Sequence, residues 1–311
     1  MSGAIPEHVF DWIRDVFAEA NRKAATKLTR VPGCSEPNLD MALIETIQEY
    51  SVPVSLEGGW MVRFETHFLG GLRHWAYDGR NWEIADIGVL VMFRENGRLV
   101  RTKIALLQSK RLYAKEQSAV DDEIEDYKIG FGRLFYDGIQ PHSQMAPRTF
   151  EFDESCRYSA LSVSDGQYRA IEDYERARSV PVYYLLYNPL ELPWAVTVPS
   201  TLGVALPKEN KMGTRVIPSA AVRAQNSTHA VKGAPTVLDL RDSVPSTVSG
   251  WSLQHFVADR LLRCYEGHQI KGAQLDDALS AVFYRRSGPI AAAFSITIDG
   301  PTMPDSPARD E

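Results

Sequence analysis

The stretch from Ala85 to Lys110, ADIGVLVMFRENGRLVRTKIALLQSK, decides the fold. Most of two apolar runs, 82–93 and 99–109, falls within it, on either side of Asn96-Gly97. Asn-Gly between two such runs is a strong signal for a tight hairpin turn, because both residues tolerate a positive φ. The pattern predicts an antiparallel hairpin. The almost continuous apolar character of the first run predicts a strand buried on both faces.

Three polar side chains stand at the ends of these two strands. Asp86 comes at the start of the first strand, and Gln108 and Lys110 lie two residues apart near the end of the second. Side chains alternate along a strand, so Gln108 and Lys110 share one face. The hairpin brings Asp86 alongside the far end of the returning strand. The sequence therefore predicts a carboxylate, an amide oxygen and an ammonium group in one small volume.

These groups match the requirements of phosphodiester hydrolysis. A hard divalent cation such as Mg²⁺, or Mn²⁺ in its place, prefers oxygen ligands, which Asp86 and Gln108 can supply. Such a cation polarises a phosphate and helps to deprotonate water. Lys110 can hold the attacking water and offset the negative charge that develops.

Helices and further strands are predicted around the hairpin. Apolar periodicity predicts helices over 8–28 and 39–50 and a strand over 59–69 upstream. Downstream, the prediction is a helix over 116–135, a helix over 166–178, a buried strand over 181–187, an amphipathic helix over 251–268 and a last strand over 289–299. The early order is helix, three strands, helix and strand, which predicts an α/β fold.

The segments ADIGVLV and IALLQSK, joined by a hairpin, resemble the PD-(D/E)xK nucleases. The closest resemblance is to the variant with glutamine in place of the second acid, as in Mrr-like restriction nucleases and related antiphage effector nucleases. By this resemblance, Asp86 corresponds to the motif aspartate, Gln108 to the D/E/Q position and Lys110 to the motif lysine. It implies a restriction-endonuclease-like core, with a central mixed β-sheet flanked by helices. It also implies a magnesium-dependent endonuclease that acts on DNA rather than RNA.

The same family often adds a glutamate from the helix before the first strand. The resemblance implies Glu45 for this role as a further catalytic residue, with Glu49 as the second choice. Glu65 is a third choice if residues 59–69 are helical rather than extended.

Other polar residues near the predicted site have assignments of their own. Arg111 and Lys115 are predicted to contact nucleic-acid phosphates. Gln167 and Tyr168, near the start of the predicted helix 166–178, are left outside the site.

Domain boundaries follow from the same pattern. Residues 1–190 are predicted to form the nuclease core with its N-terminal helices. Proline, glycine and serine become dense from residue 189 to 250, so residues 191–300 are predicted to be an elaboration packed on that core. Residues 301–311 are predicted to be a disordered tail.

The amino-acid composition narrows the class of protein to which this chain can belong. Apolar residues make up 44% and charged residues 24% of the chain, as in average globular proteins. The net charge of −6 does not by itself indicate a nucleic-acid binder. The three cysteines are far apart, which predicts a cytoplasmic protein. The sequence has no run of eighteen apolar residues, so no membrane span is predicted. The N-terminal residues do not match the pattern of a secretory signal.

Alternative functions stay open at this level. The missing second acid and the acidic net charge favour an inactive nuclease fold that serves as a nucleic-acid-binding or scaffold subunit of a defence or repair complex. A Holliday-junction or repair nuclease is a third hypothesis. The resemblance also leaves open a homodimer, or a partner subunit within an antiviral defence system.

Overall fold

The computed structural model describes residues 5–68, 75–118, 148–161, 166–198, 203–229, 233–241, 250–270, 282–283 and 290–301. Its helices are α1 (Glu7–Arg30), α2 (Glu36–Gln48), α3 (Gly166–Arg178), α4 (Ser219–His229) and the short α5 (Leu253–His255), which continues into a π-helical segment at Phe256–Leu261. Glu57–Gly59 forms a 3₁₀ turn. None of the described helices combines the length and the apolar character needed to cross a lipid bilayer.

The strands in chain order are β1 (Val54–Leu56), β2 (Trp60–Phe68), β3 (Trp75–Tyr77), β4 (Arg80–Trp82), β5 (Ala85–Glu95), β6 (Arg98–Arg111), β7 (Lys115–Ser118), β8 (Arg148–Phe152), β9 (Val182–Tyr187), β10 (Trp194–Val198), β11 (Arg215–Pro218), β12 (Trp251–Ser252), β13 (His268–Ile270) and β14 (Ile290–Asp299). Within the described residues, nine of them form one sheet in the order β1-β2-β14-β5-β6-β9-β11-β12, with β13 also paired to β6. The pairs β14–β5 and β6–β9 are parallel and the others antiparallel. The chain is therefore an α/β protein with a mixed central sheet flanked by helices.

The predicted hairpin is confirmed as β5 and β6. Asn96 and Gly97 have φ of 50° and 72°, the positive values that a two-residue hairpin turn requires. Ile87 pairs with Leu107 near the other end of the hairpin. The next step of this register sets Asp86 beside Gln108.

Helices cover both faces of the sheet. On one face, Phe17 of α1 contacts Phe64 and Phe294, with ring centroids 5.9 and 5.5 Å apart. The π-helical segment covers the same face farther along, where the ring centroids of Phe256 and Tyr183 are 4.8 Å apart. Helix α3 lies on the opposite face, so β6 is enclosed between two layers.

Two sequence predictions differ from the structure. Residues Lys115–Ser118, the start of the predicted helix 116–135, form strand β7, which pairs with β8, and residues 119–135 lie outside the described residues. The segment 251–268 is not one helix but a strand, a short helix, a π-helical segment and a second strand. The buried ammonium of Lys103 binds the carbonyl oxygens of Leu261 and Glu266, and these hydrogen bonds compete with a regular helix end.

The segment from residue 191 onward takes part in the main sheet. It supplies β11, β12, β13 and β14, and β14 lies inside the sheet between β2 and β5. A division at residue 190 therefore separates strands that share backbone hydrogen bonds. Of the predicted tail, residues 302–311 lie outside the described residues.

Candidate active site at the ends of strands β5 and β6

Asp86, Gln108 and Lys110 come together where β5 begins and β6 ends. The Gln108 amide nitrogen donates a hydrogen bond to Oδ2 of Asp86, and the backbone amide of Ser109 donates to the same oxygen at 2.7 Å. Gln108 and Lys110 are 3% and 5% exposed, so both polar groups are held inside the protein. Strand alternation and the hairpin register account for this grouping.

Gln167, in the first turn of α3, connects these side chains to one another. Its Oε1 accepts a hydrogen bond from Nζ of Lys110 at 3.0 Å, and its Nε2 donates to Oε1 of Gln108 at 3.2 Å. Nε2 also donates to the backbone carbonyl of Glu83 at 2.9 Å. Gln167 was left outside the predicted site, but the structure places it in contact with Gln108 and Lys110. It reaches the site because α3 belongs to the connection between the parallel strands β6 and β9.

The acidic side chains here carry unusual pKa values. Burial raises the pKa of Asp86 to about 7, and the Glu83 charge adds to the shift, while the Ser109 amide and Lys110 oppose it. Burial also raises the pKa of Glu83. Oε1 of Glu83 is buried and has no hydrogen-bond partner among the described residues. When both carboxyl groups are ionised, Lys110 alone offsets only part of their negative charge.

Asp40, in the second turn of α2, approaches β6 from the other face of the sheet. Its Oδ1 accepts hydrogen bonds from the hydroxyl of Ser109 at 2.5 Å and from that of Tyr187 at 2.6 Å. Ser109 thus binds Asp40 through its side chain and Asp86 through its backbone amide. Burial raises the pKa of Asp40 to about 8, and the charge of Asp86 adds to this shift.

The three glutamates considered for the helix position lie elsewhere. Glu45 lies on the exposed side of α2, about 140° around the helix from Asp40 at 3.6 residues per turn. Glu49 forms an ion pair with Lys23 at 2.8 Å. Glu65 is on strand β2, in contact with Ser295 of β14 rather than with β5 or β6. The acidic residues of α2 that contact β6 are therefore Asp40 and Glu36, not Glu45.

Arg111 and Lys115 both have partners within the chain. The guanidinium of Arg111 donates to the carbonyl of Pro32 at 2.6 Å and lies over the ring of Tyr113. The backbone amide of Arg111 donates to Glu36 at 3.0 Å. The exposed Lys115 pairs with Asp153 at 2.5 Å, so its charge is largely balanced.

The oxygen donors near Asp86 suit the divalent cation that the family resemblance implies. No three acidic, histidine or cysteine side chains in the described segments are grouped closely enough to hold a metal ion by themselves. Mg²⁺, however, usually keeps several waters and takes only one or two carboxylates. Asp86, the free oxygen of Glu83 and the amide oxygen of Gln108 meet that requirement. Gln108 would first have to turn its amide, since its nitrogen now faces Asp86.

Sequence reasoning missed two residues of this cluster, Asp40 and Gln167. The signal for Asp40 was present, because it precedes the inward residues Leu43, Ile44 and Ile47 at helical spacing and so shares their face. No comparable signal marks Gln167, whose position depends on how α3 packs.

Comparisons of the chain with models of protein families, with curated proteins and with solved structures find no match.

Proposed function

We propose that this chain is a metal-dependent endonuclease that hydrolyses phosphodiester bonds, in DNA rather than RNA, on a restriction-endonuclease-like core. The observation that carries the proposal is the joined cluster of Asp86, Gln108 and Lys110, in which partly buried carboxyl groups lie beside one lysine. An excess of buried negative charge is costly without a cation. The resemblance of the ADIGVLV and IALLQSK segments to the PD-(D/E)xK nucleases points to the same chemistry.

Each side chain has a role in the proposed reaction. Asp86 and Gln108 would hold the cation with Glu83 beside them, and a bound Mg²⁺ supplies polarisation of the scissile phosphate and a more acidic water. Lys110 carries three donors, of which Gln167 takes one. The Lys110 ammonium has no second hydrogen-bond partner among the described residues, so its other two donors can orient the attacking water and offset charge on the phosphate. Asp40 acts through Ser109 and is a positioning residue.

The test is cleavage of supercoiled plasmid with Mg²⁺, with Mn²⁺ and with EDTA. Wild type is compared with Lys110→Met, which keeps the length of the side chain, and with Asp86→Asn. Removing an electrostatic group of this kind typically lowers the rate by at least about 100-fold. Lys211→Ala is the matched control, because Glu209-Asn210-Lys211 also reads as ExK but lies in a loop. It should cut like wild type.

A second function is favoured by one specific observation. Gln108 provides no charge, and its amide nitrogen rather than its oxygen faces Asp86. A nuclease fold that binds nucleic acid without cutting it would tolerate this arrangement. Full activity of Lys110→Met would refute the proposed site. Metal-independent binding without any cleavage by wild type would support the second function.

A further inference from the structure

A basic surface lies along the C-terminal half of α1. It consists of Arg22, Lys23, Lys27 and Arg30, together with the neighbouring Lys208, and is called here the α1 basic surface. The four α1 side chains line a groove of about 310 Å³. Lys23, Lys27 and Arg30 follow one another at four- and three-residue spacing, so they share one side of the helix.

Most of this charge is not neutralised within the chain. Lys23 is paired with Glu49 at 2.8 Å. Lys27 and Arg30 have no carboxylate partner within 4.0 Å in the part of the chain that the structure describes, and Arg22 donates to the backbone carbonyl of Lys208 at 3.0 Å and so keeps its charge. The five cations of the surface are thus accompanied by the carboxylates of Glu19, in the groove, and Glu49. The surplus stands out in a chain whose net charge is −6.

The α1 basic surface ends near the end of strand β6 that carries Lys110. Helix α1 ends two residues before Pro32. The carbonyl oxygen of Pro32 accepts a hydrogen bond from the guanidinium of Arg111, with an N–O distance of 2.6 Å. Burial raises the pKa of the Cys34 thiol, and the charges of Arg111 and Lys27 oppose that shift. Arg111 follows Lys110 directly on β6. Strand alternation puts the Arg111 side chain on the face of β6 that α1 and α2 cover, opposite the side chain of Lys110, so the surface and Lys110 approach the end of this strand from opposite faces.

We propose that the α1 basic surface binds the sugar–phosphate backbone of a DNA duplex. The phosphodiester bond to be cleaved lies at Lys110. This inference rests on the proposed function for its substrate. From Arg22 to Arg30 the helix rises about 12 Å, the axial length of three to four phosphates on one strand. Contacts of this kind are independent of base sequence and fix the position of the duplex. The surface holds the duplex beside the end of β6 where Lys110 lies.

The test is the affinity of the full chain for a fluorescent 30-base-pair duplex, measured by anisotropy in EDTA so that no cleavage occurs. Lys27→Ala with Arg30→Ala removes two cations of the surface. Arg98→Ala with Arg176→Ala is the matched control, since it removes the same charge from exposed positions on the β5–β6 turn and on α3. Circular dichroism and thermal unfolding establish that all variants are folded.

The α1 pair is expected to lose roughly tenfold or more in affinity at 0.1 M salt. Its slope of log K against log salt should fall by about 1.8, because each phosphate that a cation no longer neutralises lowers the slope by about 0.9. The control pair should bind within about twofold of wild type, because exposed charges beyond a Debye length are screened. Equal losses in both pairs, or no loss in the α1 pair, would overturn the proposal. So would equally tight binding of a poly-glutamate peptide, which would make the surface a general anion site.

The outcomes separate this inference from the proposed function. If the wild-type chain binds the duplex through α1 but never cuts it, the proposed binding surface is supported and the proposed nuclease activity is refuted. A chain that cuts with metal, and whose α1 variant binds and cuts normally, would refute the surface alone.

Discussion

Asp40 and Asp86 bind the same serine from opposite sides of β6. Ser109 holds Asp86 with its backbone amide and Asp40 with its hydroxyl. Burial is the main cause of the raised pKa at both carboxyl groups, with values of about 8 for Asp40 and about 7 for Asp86. Each therefore favours its protonated form in the folded chain. This has a consequence for stability that can be measured without substrate.

In chelator, the free energy of unfolding should fall as the pH rises from about 4 to about 8. A carboxyl group in an unfolded chain has a pKa of about 4, so the folded state binds more protons than the unfolded state over this interval. Stability from Asp40 is fully present below pH 4 and is lost as the pH rises through about 8. Asp40→Asn keeps an oxygen for Ser109 and Tyr187 but cannot ionise. It should flatten the curve and be more stable than wild type at pH 8, by on the order of 2–4 kcal/mol.

Urea unfolding of wild type and Asp40→Asn at a series of pH values measures this difference. Tyr187→Phe is the control, because it removes a hydrogen bond to Asp40 while leaving the carboxyl group able to ionise. Parallel stability curves for wild type and Asp40→Asn would contradict the assignment of a raised pKa to Asp40.

At this scale, the chemistry of a residue was easier to predict than its partners. The grouping of Asp86 with Gln108 and Lys110 follows from strand alternation and a turn, which are local rules. Asp40 required the recognition that a carboxylate can belong to the buried face of α2. Gln167 depends on a crossover between strands that are distant in sequence, so local rules do not reach it.

The β5–β6 hairpin is the element that sets the geometry of the site. Gly97 occupies the turn with φ of 72°, and a Cβ added there would meet no atom within 4 Å. A substitution therefore tests backbone conformation alone. Gly97→Ala should destabilise the protein by about 1–2 kcal/mol, the cost of a left-handed conformation for an L-residue. Chemical denaturation measures the change.

Gly33→Ala is the matched control for the hairpin. Gly33 also has no atom within 4 Å of an added Cβ, but its φ lies outside the positive region. Alanine there should be neutral or stabilising by up to about 1 kcal/mol, because it restricts the unfolded chain. If Gly33→Ala proved as costly as Gly97→Ala, conformation would not be the cause.

Elements were predictable where they are regular and local. Helix α3 matches its predicted range of 166–178, and the hairpin strands differ by a few residues at their ends. The segment 251–268 has helical periodicity, yet tertiary hydrogen bonds divide it. The amide of Leu253 donates to the carbonyl of Thr214 at 3.1 Å, and Lys103 binds carbonyls at and beyond the end of the π-helical segment. Such contacts with distant residues are not visible in a local pattern.

For the molecule as a whole, the last strand holds the sheet together. β14 pairs with β2 on one side and with β5 on the other, so it connects the N-terminal strands to the hairpin that carries Asp86. A strand was predicted over 289–299, but its neighbours could not be, because nothing local identifies which distant strands it pairs with. The central sheet therefore depends on a segment that sequence reasoning placed outside the core.

Phe294 of β14 provides a test of this dependence. It is 1% exposed, and its ring lies 5.5 Å from that of Phe17 on α1. Phe294→Ala should cost about 3–5 kcal/mol, since it removes a large buried side chain and leaves a cavity. Phe68→Ala is the control, because Phe68 is 53% exposed on β2 beside the same strand, and it should cost less than about 1 kcal/mol.

The shape of the unfolding curve of Phe294→Ala is as informative about cooperativity as its midpoint is about stability. If β14 joins α1, β2 and β5 into one cooperative unit, Phe294→Ala will unfold in a single step, with coincident curves from tryptophan fluorescence and far-ultraviolet circular dichroism. Two separated steps would mean that the hairpin and its carboxylates fold independently of α1. The α1 basic surface would then have no fixed position relative to Lys110, and it could not align a duplex with the site.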